Sequence, residues 1–311
     1  MSPWRRGKFI LEAVGFWLAM GVLRLFSPEA ASNLGGFLGR AVGPRLGVSR
    51  RARQNLRLAF PQKTVAEIEA IVRGMWDNLG RVAAEYPHLG RITAADSDRI
   101  ELVNAERVWA LRDGPTAGIL VSAHLANWEI MPVVAARNGV DMTGVVRDPN
   151  NPYVRPLLER LRGIAGGRRT EKGAGSARQA VQVLRDNRVL GLLFDQKMNT
   201  GMALPFFGVK AMTLVAPAQL ALRFRCPLIP MRIERLGPAR FRIEARPPLA
   251  LPETADRRAA VAQVMTELNG ILETWIRERP EQWLWLHRRW PDAAHRVSSS
   301  GGPPDNPTVA P

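Results

Sequence analysis

One cysteine, two tyrosines and five lysines are all that a chain of 311 residues contains of these types. With Cys226 alone in "RFRCPLIP", no disulfide framework forms within the chain, which fits a reducing compartment. Among apolar neighbours its thiol reads as a small buried hydrophobe. Histidine is scarce as well. His88, His287 and His295 stand at no ligand spacing from His124, and H-E-x-x-H is missing, which argues against a zinc site. Also missing are a Walker A loop, a Rossmann glycine fingerprint, a G-x-S-x-G elbow around Ser122 and any internal repeat. These gaps argue against P-loop phosphoryl transfer, dinucleotide chemistry and a serine-nucleophile triad.

What the chain does have is positive charge and apolar residues. The net charge is +16, carried mostly by arginine, and 46% of residues are hydrophobic. The apolar share excludes a disordered chain, and the length suffices for a sizeable core. A surface this basic attracts nucleic acid, acidic headgroups, phosphorylated substrates or acidic carrier proteins. Position along the chain narrows that list. "WRRGKFILEAVGFWLAMGVLRLF" opens with Arg5, Arg6 and Lys8, then runs apolar from Phe9 to Phe26, interrupted by Glu12 and Arg24. The run falls slightly short of the roughly 20 residues that cross a bilayer and lacks a cleavage signature. It predicts an anchor helix over residues 1–27 that inserts into or lies in a membrane leaflet. A nucleic-acid-binding protein would explain the charge but not this segment, and no nucleic-acid-binding motif is visible.

Beyond the anchor, "TVAEIEAIVRGMWDNLGRVAAEY" shows helical period with a Thr64–Glu67 capping box. From Thr116 to Leu251, strand-like pieces ("TAGILVSA", "DMTGVVRD", "VLGLLFDQ", "CPLIPMRIER", "RFRIEARPPL") alternate with helix-like ones. That order predicts an α/β fold with a mixed, largely parallel central sheet flanked by helices, antiparallel near its last two strands. Ala255 to Arg279 reads as one helix ending before Pro280. The expected organisation is an anchor at 1–27, an α/β domain at 28–296 and a disordered tail at 297–311, where "SSSGGPPDNPTVAP" cannot build a core.

In open α/β sheets, reactive groups collect beyond the carboxyl ends of strands. His124 falls there, between "GILVSA" and "LANWEIMPVVAA". Spacing alone leaves two readings. His124 caps the helix while Glu129 is a solvated first-turn acid. Alternatively, His124 sits on the turn, and Glu129 takes its Nδ1 hydrogen and leaves Nε2 to accept a proton from a hydroxyl.

"HLANWE" is the H-x₄-[D/E] pattern of the glycerolipid acyltransferases. With "VVRDPNNPYV", "GLLFDQKMNTGMALPFFG", "PAQLALRFRCPLIPM" and "PEQWLWLHRRWP" in order, the chain resembles one branch of them, the late acyltransferases of lipid A biosynthesis. The resemblance implies a glycerolipid acyltransferase-like fold at the cytoplasmic face of a bacterial inner membrane. It implies His124 as general base and Glu129 as its orienting acid. Acyl-carrier protein serves as donor and a 3-hydroxyacyl chain of a lipid A precursor as acceptor; no metal or cofactor is implied. The alternative is another glycolipid or glycerol phosphate as acceptor, with acyl-CoA as donor.

The remaining candidates follow from strand ends and loops. Arg147 stands where it can bind a phosphate or hold a thioester oxygen; Asn150 and Asn151 form a turn that the resemblance makes part of the site. Arg168, Arg169 and Lys172 suit a sugar phosphate. Asp195 and Gln196 end a strand on the side of His124, the first suited to neutralise an arginine, the second to bind a carbonyl or sugar. Phe206 and Phe207 are expected to line or cover an acyl channel. Trp283, Trp285 and Trp290, with His287, Arg288 and Arg289, suit either a core strand or a membrane interface.

Overall fold

The computed structural model describes residues 2–146, 151–163, 168–171, 176–291 and 294. Arg147, Asn150, Lys172, His295 and the segment 297–311 lie outside the described residues.

The amino-terminal part is helical. Helix α1 (Pro3–Leu23) starts at the Ser2 cap, and α2 (Pro28–Val42) at the Ser27 cap, each with proline in the first turn, where its missing N–H costs nothing. Then come α3 (Ser49–Ala59), α4 (Val65–Glu85) and the short α5 (Leu89–Ile92). The capping box forms as read: Glu67 accepts from the Thr64 backbone at 2.8 Å, and Thr64 Oγ1 accepts from the Glu67 backbone at 3.3 Å. Helices α2 and α4 cross at glycines. A methyl on Gly35 would sit 2.3 Å from the Gly80 carbonyl oxygen, so the backbones meet only because both residues lack one.

Strand β1 (Ile100–Val103) and helix α6 (Glu106–Asp113) lead into β2 (Gly118–Ser122), buried along its whole length. Helix α7 (Ile130–Arg137), β3 (Met142–Val146), α8 (Arg155–Gly163), β4 (Arg168–Glu171), α9 (Ser176–Arg185) and β5 (Val189–Leu193) follow. Strands β6 (Lys197–Phe206) and β7 (Val209–Thr213) form a separate antiparallel hairpin. Its two turn residues, Phe207 and Gly208, both have positive φ, 52° and 73°, as a primed hairpin turn requires. Helix α10 (Ala216–Phe224), β8 (Leu228–Gly237), β9 (Arg240–Ala245) and α11 (Arg257–Glu278) complete the described elements.

The main sheet has seven strands in the order β1-β9-β8-β2-β5-β3-β4. Strands β8, β2, β5, β3 and β4 run parallel; β9 reverses against β8 and β1 follows β9. The α/β class and the antiparallel edge match the sequence reading. Strands β1 and β4 and the β6–β7 hairpin were not legible there, being short or broken by polar residues.

Helix α1 buries little of itself: Ala13 and Met20 face inward, while Trp4, Ile10, Leu11, Val14, Leu18 and Val22 are exposed. No described helix is long and apolar enough to cross a membrane.

Candidate active site

Strands β2 and β5 are parallel neighbours, with Ser122 opposite Leu193. His124 and Asp195 each stand two residues past that matched pair, so the sheet register delivers both side chains to one point beyond its carboxyl edge. There the Asp195 carboxylate, fully buried, accepts three hydrogen bonds. His124 Nδ1 donates to Oδ1 at 2.8 Å, the His124 backbone N–H to Oδ2 at 3.0 Å, and Trp283 Nε1 to Oδ2 at 2.8 Å. Burial by itself raises the carboxyl pKa. The charge of His124 and its ring and backbone hydrogen bonds outweigh burial and hold Asp195 well below the usual carboxylate range. An ionised Asp195 fixes the hydrogen on His124 Nδ1 and leaves Nε2 with a lone pair.

The expectation that Glu129 takes the Nδ1 hydrogen is thereby corrected: Asp195 holds that position. Its charge also acts on Arg289, favouring the charged guanidinium against burial, in line with its strand-end place. The reason is local backbone. The helix read as beginning at Leu125 starts only at Ile130, with Glu129 at its amino-terminal cap position. Residues 123–129 form an irregular loop instead. Ala126 adopts a left-handed φ of 44°, rare for a residue with a Cβ. Three contacts hold it: its N–H donates to the Gln282 carbonyl, its own carbonyl accepts from Asn78 Nδ2, and Leu125 bridges to Trp283.

A cavity of about 850 Å³ lies against the sheet, with His124 in its wall. Pockets for organic ligands span roughly 300–1,000 Å³, so this one is large. Its walls are mostly apolar, with Met142, Val145, Val181, Leu192, Leu193 and Leu220 among them. Polar and charged side chains line it as well: Ser122, His124, Glu129, Gln196, Gln219, Arg223 and Arg257. Trp128 stands beside the imidazole, ring centroids 5.0 Å apart. Among the described residues, no group of three or more His, Cys, Asp or Glu is placed to hold a metal ion.

A family model of bacterial lipid A biosynthesis acyltransferases matches residues 8–292. The chain belongs to this family. A lipid A biosynthesis myristoyltransferase of Escherichia coli (strain K12) is 28% identical over 282 residues, 88% of this chain and 85% of that one. Lipid A biosynthesis acyltransferase 1 of Shigella flexneri is 27% identical over 281 residues, with 88% and 85% covered.

In this acyltransferase, other sequence candidates find different places. Asn151 donates from Nδ2 to the Phe9 carbonyl at 2.8 Å and to Glu12 at 3.2 Å, tying α1 to the loop before α8 instead of shaping the site. Phe206 and Phe207 do not line the cavity. They pack with Trp283, Trp285, Trp290 and Phe60 in a buried aromatic cluster under the hairpin. Arg168 and Arg169 lie on β4, the outermost strand, two places from β5 in the sheet. Of the carboxy-terminal motif, the three tryptophans take the core alternative. Arg289 is buried too: it donates to the Met212 carbonyl and to Thr213 Oγ1 at 3.0 Å each, and burial lowers its pKa to about 10. Trp283 was missed as a site residue. The signal was present: a buried indole needs an acceptor for its N–H.

Proposed function

We propose that this acyltransferase moves a fatty acyl chain from the thioester of acyl-carrier protein to a hydroxyl on an acyl chain of a lipid A precursor. The observation that carries the reading is the His124–Asp195 pair, with His124 in the wall of a large, mostly apolar cavity. His124 Nε2 takes the proton of the acceptor hydroxyl, and Asp195 stabilises the imidazolium that results. Glu129, on the same cavity wall, adds negative charge that favours that imidazolium. The acyl chain of the donor lies in the apolar cavity, each buried methylene contributing about 0.8 kcal/mol. The thioester is already activated, so neither acyl-enzyme nor metal enters the scheme.

The basic surface serves the phosphates of the acceptor and the acidic carrier. The exposed apolar residues of α1, with Leu34, Phe37 and Leu38 on α2, form the part that settles into the headgroup region of a membrane. The similarity to the Escherichia coli myristoyltransferase supports a long acyl chain.

Mass spectrometry of lipid A from cells with and without this protein tests the reading. One secondary acyl chain is expected to be missing without it, restored by the wild-type chain but not by His124→Ala. Unchanged lipid A, or full restoration by His124→Ala, would refute it.

A further inference from the structure

The amide of Gln196 sits where the mechanism above gives it no task. Its Nε2 lies 3.2 Å from His124 Nε2 and 3.5 Å from His287 Nε2, between two imidazole rings whose centroids are 5.0 Å apart. Which end of a glutamine amide faces a neighbour is settled by the hydrogen-bonding pattern. With Asp195 fixing the hydrogen on Nδ1, His124 Nε2 offers only a lone pair, so the group facing it is the NH₂. That NH₂ has two hydrogens. One meets His124, and the other points to His287, which steadies the amide from the far side.

We infer that Gln196 is the oxyanion donor of the reaction, with His287 as the residue that positions it. This rests on the acyl-transfer reading. When the acceptor hydroxyl enters, it takes the place of the amide at His124 Nε2. The freed N–H is then left within about one hydrogen-bond length of the reacting atoms. The acceptor oxygen forms its bond to the thioester carbon as its proton passes to His124 Nε2. The C=O π pair moves onto the carbonyl oxygen, and Gln196 donates to that oxygen as its charge grows. Collapse of the tetrahedral species restores C=O and breaks the C–S bond; the leaving thiolate takes the proton from His124. Nothing is oxidised or reduced, and Gln196 loses no proton. The groups beside the amide are His124 and His287, with Asp195 behind His124; Glu129, Arg223 and Arg257 line the same cavity.

The alternative task, orienting His124, makes the opposite forecast for one substitution. In Gln196→Glu the new carboxylate stabilises the imidazolium but repels a developing oxyanion. Full-length wild type, Gln196→Glu, Gln196→Leu and His287→Ala are compared with myristoyl- and lauroyl-acyl-carrier protein and a lipid A precursor bearing 3-hydroxyacyl chains. Each is measured across pH, and thermal midpoints are recorded alongside. For both Gln196 variants the maximal kcat should fall about 10²-fold, the size seen when one oxyanion donor is removed, with KM for the donor within about threefold. His287→Ala should lose about tenfold in kcat, and His287→Asn, which can still accept from the amide, should recover most of it. Gln196→Glu that keeps the wild-type maximal rate with only a shifted pH profile would overturn the inference while leaving the acyl-transfer reading intact. So would a kcat within twofold of wild type in Gln196→Leu. Wild type that transfers neither acyl group would overturn both.

Discussion

Among the described residues, two carboxylates are wholly buried, and their partners differ. Glu85, at the end of α4, is paired with the Arg235 guanidinium of β8. It also accepts from Ser32 Oγ at 2.7 Å and Asn127 Nδ2 at 2.8 Å. Every partner there is a fixed donor, and the group has no opening to a ligand. Asp195 is paired with an imidazole that lines the cavity. Burial of charge therefore does not separate scaffold from chemistry; the nature of the partner does. The two regions meet at one loop. Asn127 holds Glu85, and the Arg235–Asn78 contact, 2.9 Å, leads to the Ala126 carbonyl two residues from His124.

Replacing each acid breaks the comparison in a different currency. Asp195→Asn should lower acyl transfer by on the order of 10²–10⁴-fold, because an amide no longer enforces the Nδ1–H tautomer; steady-state kinetics checks it. Glu85→Ala should leave a buried guanidinium unpaired and cost about 3–5 kcal/mol of stability in denaturant unfolding. Combined replacement by apolar residues, Glu85→Leu with Arg235→Met, should recover much of that loss.

Acid sharpens the contrast. The folded pKa of Asp195 lies below its unfolded value of about 3.9. Its ionisation therefore contributes stability that is fully present above about pH 4 and is lost as pH falls through the lower folded value. The stability gap between wild type and Asp195→Asn should stay constant from neutral pH to about pH 5 and narrow below pH 4, as followed by urea unfolding. The smallest effect is expected at the bridging residue: Asn127→Ala should cost about 1–3 kcal/mol for the hydrogen bond lost to a buried charge, with a several-fold drop in rate.

Much of this was legible in the chain. Alternating strand and helix periods gave the sheet and its antiparallel edge, and the place of His124 after "GILVSA" marked the reactive edge. The partner of His124 was not legible, although Asp195 was already placed on the correct side. A five-residue spacing drew attention to Glu129, whereas the pairing that matters spans 71 residues and depends on β2–β5 register. The loop from 123 to 129 obeys contacts with Gln282 and Trp283, and no local propensity encodes those. The segment "ALPFFG" does not show on its own what Phe206 and Phe207 pack against; the tryptophans that claim them lie about 80 positions on.

The most direct test of the account follows the His124 Nδ1 hydrogen by NMR of ¹⁵N-histidine-labelled protein, with four histidines to assign. An exchange-protected Nδ1–H signal for His124 is expected, one that persists in Glu129→Gln and disappears in Asp195→Asn. A signal that survives Asp195→Asn and vanishes in Glu129→Gln would contradict it.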